Sequence, residues 1–303
     1  MNNSLTIIGA GAWGSALAIA LSHKFDKIFL LTKDKASSDA LGKQHSALSK
    51  PYNQNIFIGY SYEVISHSKA VLIATPSSAF GSVLKNIKDN VNDIPIAWVT
   101  KGFDPETANL LHETFNHYLT GHHPCVISGP TFAAEIVEEK PAAIVVASKD
   151  KKTRDYWSDI IQTETLRAYT NSDIVGVQVG GSVKNILAIA AGIASGLGFG
   201  ANTQAALITR GLAEMTRLGV ALGADKVTFQ GLSGLGDLVL TCSDDLSRNR
   251  RFGKELANNI STDDALKNIN ATVEGFKALK LVLKVARSNQ IEMPICEQVL
   301  LVT

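Results

Sequence analysis

Cysteine is scarce in this chain. Cys125, Cys242 and Cys296 are the only three, odd in number, far apart and without a CxxC pair. That excludes a disulfide framework and a zinc site, predicts no metal, and suits a reducing compartment. Charge of one sign is also lacking: 29 Lys and Arg stand against 28 Asp and Glu, for a net charge of +1. A dedicated nucleic-acid binder carries a marked basic excess, so that class is set aside, and any anion must be held by local charge. The N-terminus, Met1-Asn2-Asn3-Ser4, has no basic stretch or long apolar core of the kind a secretion signal needs. The longest uncharged run, Asn185 to Thr209, contains Gly, Asn, Ser and Gln. It is too weakly apolar for a membrane span and is expected to form a buried helix and a loop. A cytoplasmic protein is expected.

What is present is a globular composition, with 45% apolar and 19% charged residues in a length of 303, enough for one large or two ordinary domains. The first ~170 residues alternate short β-rich runs with helical patterns, as parallel α/β sheets do. Strands are expected at Leu5–Ile8, Ile28–Leu31, Ala70–Ala74, Ile96–Val99, Cys125–Ser128, Ala143–Val146 and Leu166–Tyr169. Several are continuous apolar runs, as when both sheet faces are covered. After about Asn171 the strand signal ends. Helices are expected at Asp173–Gly196, Ala205–Leu222 and Val273–Ser288. The fold class is therefore an N-terminal α/β Rossmann domain, doubly wound on a mostly parallel sheet, over residues 1–172, followed by an all-helical substrate and catalytic domain over 173–303. Asn171-Ser172-Asp173 reads as a helix N-cap signal and not a flexible linker, so the two parts are expected to pack together.

Gly9-Ala10-Gly11-Ala12-Trp13-Gly14 is a G-x-G-x-x-G after an apolar strand and before a helical pattern running from Ser15 to Ser22. Gly9 permits the tight turn, Gly11 lets the backbone approach a pyrophosphate, and Gly14 lets helix pack on strand. The helix N-terminus offers free N–H groups to the anion. At the end of the second strand stands Thr32-Lys33-Asp34. No acid occupies position 32. Lys33 can meet a 2′-phosphate and Asp34 a ribose hydroxyl, or both are solvated turn residues. The reading leans to NADP, with NAD use left open. Ala74-Thr75-Pro76-Ser77 closes another strand at the ligand side of the sheet, although Pro76 would end that strand for structural reasons alone.

Lys101, after the strand at 96–99, can steady an anion, though spacing alone favours a surface loop lysine. Ser128-Gly129-Pro130-Thr131-Phe132-Ala133-Ala134-Glu135 follows the next strand. Thr131 can cap the short helix after it, and exposed amides can hold a phosphate or a carboxamide. Lys184 sits in the apolar stretch Val179-Gly180-Gly181-Ser182-Val183-Lys184-Asn185-Ile186-Leu187-Ala188. A buried lysine is costly unless it is paired or has lost its proton, and desolvation brings its pKa toward neutrality, which suits an acid/base. The competing reading is a lysine that snorkels to a surface. Gly180 and Gly181, one turn earlier, allow a backbone or ligand close. Asp237, among Gly231, Gly234 and Gly236, either orients Lys184 or caps a helix. Ser247-Arg248-Asn249-Arg250-Arg251 reads as a compact donor cluster for a phosphate or as a solvated basic turn. Glu274, before Gly275, either meets a ribose hydroxyl or begins a helix.

Taken together, GAGAWGSALA at Gly9, TKG at Thr100, SGPTFAAE at Ser128, GVQVGGSVKNILAIAAG at Gly176, GFGANTQAALITRGLAEM at Gly198, GLGDLVLTC at Gly234, SRNRRFG at Ser247 and VEG at Val273 resemble the bacterial-type NAD(P)-dependent glycerol-3-phosphate dehydrogenases. The resemblance implies that Ala12, Trp13, Lys33, Ala133, Arg248 and Glu274 lie near the cofactor, and that Lys101, Gly129 and Thr131 line the substrate, with Lys101 also near the cofactor. It implies that Lys184 donates the proton in ketone reduction, that Asp237 supports it, and that Ser247, Arg248 and Asn249 hold the substrate's phosphate end. It further implies a homodimer whose product feeds phospholipid synthesis. One departure stands out: the family continues through a further helical segment, whereas this sequence stops at Thr303 inside an apolar helical pattern, so a truncation is expected. A related two-domain hydroxy-acid dehydrogenase and a non-catalytic dinucleotide sensor are the rival readings.

Overall fold

The computed structural model describes residues 3–269 and 271–303. The chain divides into two compact units. The first comprises residues 1–100, 111–127 and 131–174; the second comprises 101–110, 128–130 and 175–303.

The first unit is built on an eight-stranded sheet. Its strands are β1 (Ser4–Ile8), β2 (Lys27–Leu31), β3 (Ile56–Gly59), β4 (Ala70–Ile73), β5 (Ile96–Trp98), β6 (Val126–Ser128), β7 (Ala142–Ala147) and β8 (Leu166–Asn171), in the spatial order β3-β2-β1-β4-β5-β6-β7-β8. β1 pairs in parallel with both β2 and β4, and the run from β3 to β6 is parallel throughout. The seven expected strands are all present. β3, at the sheet edge, is the one the sequence reading lacked; only Ile56 of its four residues is buried, so it carries a weak hydrophobic signal. Between the strands lie α1 (Ala12–Leu21), α2 (Lys35–Leu41), α3 (Ser77–Val91), α4 (Leu111–Tyr118), α5 (Ala133–Val137) and α6 (Lys151–Ile161). α1 begins three residues before the expected Ser15, because Ala12 and Trp13 already continue the turn set by Gly11. The sheet reverses its winding between β1 and β4, where the carboxyl ends of strands leave a crevice in folds of this type.

The second unit contains α7 (Ile174–Gly196), α8 (Ala201–Ala221), α9 (Asp237–Ser243), α10 (Arg248–Ala257), α11 (Thr262–Ile269), α12 (Glu274–Ser288) and α13 (Pro294–Leu301). α7 carries its centre: Val179, Val183, Ile186, Leu187 and Ala188 are all fully buried in one apolar cluster. By length and composition α7 could cross a membrane, yet 94% of its most apolar window is buried inside the protein. It is a core helix, and burial, more than composition, decides that. α7 and α10 cross at two glycines. A Cβ on Gly192 would lie 2.0 Å from the Arg250 carbonyl oxygen, and one on Gly253 would lie 2.1 Å from that of Ile189. Only hydrogen fits at either position.

Candidate active site

The glycine turn of the first unit has the shape its sequence predicts. Gly9 has φ +114°, and a Cβ there would stand 2.6 Å from the Ala74 carbonyl oxygen. A Cβ on Gly14 would collide with the Gly9 carbonyl oxygen at 1.9 Å. Gly11 differs from both: nothing lies within 4 Å of its missing side chain. The turn is packed tight on two sides and open on the third, which suits a pyrophosphate approaching the backbone. Gly11 also occupies the N-cap of α1, with no side-chain cap and no acid in the first turn, so the amides there are available to an anion. The Thr75 hydroxyl, just past the end of β4, is buried without a partner among the described residues. These features fit a dinucleotide.

Gly9 N–H donates to the Leu31 carbonyl at 2.8 Å, tying the turn to the end of β2. Beyond that end, Lys33 is highly exposed and lies 3.7 Å from Asp34. Asp34 caps α2, accepting from the Ser37 N–H at 2.7 Å. That bond, ahead of the neighbouring Lys33, holds its carboxyl below the usual range. Trp13 and Ala133 are half-buried against the core of this unit, and α5, which Ala133 opens, packs on α1. The N-cap position of α5 falls on Phe132, which makes no side-chain cap bond, one residue after Thr131.

In the second unit, two lysines converge on one carboxylate. Lys184 ion-pairs with Asp237 Oδ1 in a short contact, and Lys101 Nζ donates to Asp237 Oδ2 at 3.0 Å. Lys184 also donates to the Thr241 hydroxyl at 2.9 Å, which in turn donates to the Asp237 carbonyl at 2.6 Å. Lys184 is 6% exposed and Asp237 not at all; the lysine does not snorkel out. Asp237 is the first residue of α9, but its side chain is spent on the lysines and not on a helix cap. Two lysines share one carboxylate here, and the Glu274 charge also acts on Lys101. Burial, opposed by Asp237 and reinforced by nearby Lys101, lowers the Lys184 pKa to about 8. Lys101 shifts the other way: burial opposes its charge, but Asp237, aided by Glu274, raises its pKa. Of the three hydrogens on the Lys184 ammonium, two are directed at Asp237 and Thr241, and the third is left for an incoming oxygen.

Local backbone sets this geometry. A π-helical turn at Leu232–Gly236 leads into Asp237, a device common beside functional groups. A Cβ on Gly180 would lie 2.3 Å from the Ser233 carbonyl oxygen, so the small residue expected to admit a close neighbour admits this turn. Gly102, next to Lys101, has φ +120°. Its N–H donates to the Ser182 hydroxyl at 3.0 Å, and Ser182 donates to the Gln178 carbonyl at 2.7 Å. The loop bearing Lys101 is thus fastened to α7 two residues from Lys184.

A second network starts at Asn185. Its Nδ2 donates to Glu274 at 3.2 Å, and its Oδ1 accepts from Asn249 Nδ2 at 3.0 Å. Asn249 Oδ1 accepts from the Gly275 N–H at 2.9 Å. Glu274 begins α12 and meets Asn185 with its carboxylate. The run from Ser247 to Arg251 is not one compact donor cluster. Ser247 caps α10 by accepting from the Arg250 N–H. Asn249 is buried in the bridge just described, and Arg250 pairs with Asp245 and, at 3.1 Å, with Ser195. Arg248 and Arg251 face solvent. Helical periodicity scatters neighbours in sequence around the axis. Gly129 is buried and groups with this unit.

Two residues of the site went unread in the sequence. Thr241 stands four residues after Asp237 on α9, a polar residue in an apolar run and one turn away, and that spacing is a usable signal. Asn185 stands beside Lys184 as a second polar residue in the same apolar helix.

Comparison with known proteins follows the same division. Residues 4–154 match the model of the NAD-dependent glycerol-3-phosphate dehydrogenase N-terminus, and residues 173–303 match that of its C-terminus. The chain is 58% identical over 304 residues to a glycerol-3-phosphate dehydrogenase [NAD(P)+] of Vesicomyosocius okutanii, covering all of this chain and 93% of the relative. The counterpart from Ruthia magnifica is 59% identical, with 100% and 94% covered. The crystal structure of glycerol-3-phosphate dehydrogenase from Coxiella burnetii superposes with a TM-score of 0.94 at 38% identity, covering 98% of this chain and 93% of that one. D-mandelate dehydrogenase shares the fold alone, at TM-score 0.62 and 10% identity over 99% of this chain and 97% of that one.

Proposed function

The chain belongs to the NAD-dependent glycerol-3-phosphate dehydrogenase family, and on that premise we propose that it interconverts dihydroxyacetone phosphate and sn-glycerol 3-phosphate with NAD(P)H. The observation that carries this reading is the buried Lys184 held by Asp237 and Thr241, with one hydrogen free and a pKa of about 8. An ammonium with that proton affinity gives up its proton readily near neutral pH and can take it back, which a reversible ketone reduction requires. A bound nicotinamide supplies the hydride for the carbonyl carbon. Lys184 supplies the proton for the carbonyl oxygen, and Asp237 fixes the ammonium and stabilises its charged form. Lys101 adds the second positive charge that draws in a phosphorylated substrate.

Ser247, Arg248 and Asn249, at the N-terminus of α10, are assigned to the phosphate end. There exposed Arg248 offers a bidentate fork beside the helix's first amides. Gly129 and Thr131 are assigned to the substrate. Gly9, Gly11, Ala12, Trp13, Gly14, Lys33, Lys101, Ala133, Arg248 and Glu274 are assigned to the cofactor. With Asp34 occupied in capping α2, Lys33 favours a 2′-phosphate and hence NADPH. The reading includes a homodimer, a cytoplasmic setting that suits three free buried thiols, and a product destined for phospholipid synthesis.

The test is a spectrophotometric assay of NADPH and NADH oxidation by the pure protein, with dihydroxyacetone phosphate set against a panel of 2-keto acids. Turnover confined to the triose phosphate is expected. Turnover of a keto acid instead would turn the reading to a hydroxy-acid dehydrogenase, and cofactor binding without any turnover would turn it to a dinucleotide sensor.

A further inference from the structure

The Ser128 hydroxyl is the exception among the hydroxyls around the lysine pair. Thr241 accepts from Lys184 and donates to a carbonyl. Ser182 accepts from Gly102 and donates to Gln178. Ser247 is occupied in capping α10. Ser128 is 3% exposed, and its Oγ has no hydrogen-bond partner among the described residues. In the second unit the other unpaired buried side-chain atom is Arg250 Nε, and the same guanidinium is paired through both of its other nitrogens. Among the described residues of that unit, Ser128 alone has its whole polar group unmet.

Its surroundings belong to the site. A Cβ built on Gly181 would lie 2.9 Å from Ser128 Oγ and 3.6 Å from Cγ and Cδ of Lys101. The hydroxyl and the Lys101 stem therefore flank the same bare glycine, one turn before Lys184 on α7, where any side chain would press against both. A buried hydroxyl normally finds a partner, because leaving one unmet forfeits its hydration with nothing in return. A serine retained here without a protein partner is matched by one that arrives with a ligand. Its hydroxyl can both donate and accept, which suits a neutral polar group, the phosphate being assigned to Ser247, Arg248 and Asn249.

We infer that Ser128 Oγ hydrogen-bonds a neutral polar group of the bound ligand beside Lys101: the free hydroxyl of the triose phosphate or the carboxamide of the nicotinamide. The inference rests on the reading of the Lys101–Lys184–Asp237 cluster as the reacting site. It makes Ser128 a ligand-binding residue whose cost is carried by the free protein.

The test is Ser128→Ala in the full-length protein, with three readouts. These are KM for dihydroxyacetone phosphate, Kd for NADPH by fluorescence, and the melting temperature without ligand. One hydrogen bond to a neutral group predicts that one of the two constants weakens by about 3- to 10-fold while the other stays within twofold. The constant that moves identifies the source, KM for the substrate hydroxyl and Kd for the carboxamide. The free protein should melt no lower than wild type, because the variant loses an unmet group. Two unchanged constants, or both weakened together with a lowered melting temperature, overturn the assignment. A wild type that does not turn over dihydroxyacetone phosphate brings down the parent reading. A wild type that turns over beside an indistinguishable Ser128→Ala variant brings down Ser128 alone.

Discussion

Lys184 sits where desolvation and Asp237 oppose each other, and the outcome is a group poised near pH 8. Ketone reduction needs the protonated form, which prevails below that pH; oxidation of the alcohol needs the neutral amine, which prevails above it. The pH dependence of kcat/KM reports the free enzyme's groups. It should therefore fall above about pH 8 for dihydroxyacetone phosphate and rise through the same point for glycerol 3-phosphate. Profiles measured in both directions over a common pH range check this, and parallel profiles would detach Lys184 from proton transfer. Lys33 carries a separate expectation. A charge-assisted bond to a 2′-phosphate is worth roughly twice a neutral one, so Lys33→Glu should lower the NADPH-to-NADH ratio of kcat/KM by about tenfold or more. A ratio unchanged in steady-state assays would return Lys33 to the solvated turn.

The residue scale is also where the sequence was most and least informative. Lys184 was legible because one charge in a run of Val, Ile, Leu and Ala has few explanations. Asp237, 53 residues away, could be read only as one of two alternatives, orienting Lys184 or capping a helix, and Thr241 was not read at all. Ser128 looked like part of an ordinary strand-to-helix turn; its significance is an absence of partners, which only a structure can display.

Elements follow from packing that composition barely registers. Gly192 and Gly253 let α7 and α10 touch backbone to backbone. Gly192→Ala should destabilise the second unit by about 1–3 kcal/mol or more, the cost of forcing atoms into a filled space, although alanine is the better helix former. Chemical denaturation measures it, and a stabilised variant would refute the close crossing. Glu214, 2% exposed, accepts from the Ile295 and Cys296 N–H groups at the start of α13. It thus does by tertiary contact what a local cap does elsewhere. Glu214→Ala should cost about 1–3 kcal/mol by leaving those amides unmet, with Glu214→Gln costing less; equal melting temperatures for all three proteins would contradict it. Seven strands could be read from their β-branched runs, whereas β3 could not, because an edge strand with one buried residue resembles a loop. The Ser247–Arg251 run was only partly legible for a related reason. It was read as adjacent donors, but a helix divided it among a cap, a buried bridge, an ion pair and the solvent.

At the scale of the whole molecule, the nearly neutral composition leaves anion binding to local devices: the uncapped glycine turn in one unit and the two-lysine cluster in the other. Fold class and the division into α/β and helical parts could be read along the chain from the point where β-rich runs give way to helical periodicity. A ligand that binds only the folded state stabilises it by about 2.7 kcal/mol at a hundredfold excess over its Kd. NADPH should therefore raise the melting temperature of the wild type, and to the same extent that of Lys184→Ala, whose glycine turn is untouched. The most direct measurement of the central claim is the kcat of Lys184→Ala for dihydroxyacetone phosphate, taken beside its NADPH Kd. The expected result is a loss of about 10²- to 10⁴-fold in kcat with Kd within twofold of wild type. Turnover at the wild-type rate would contradict the account.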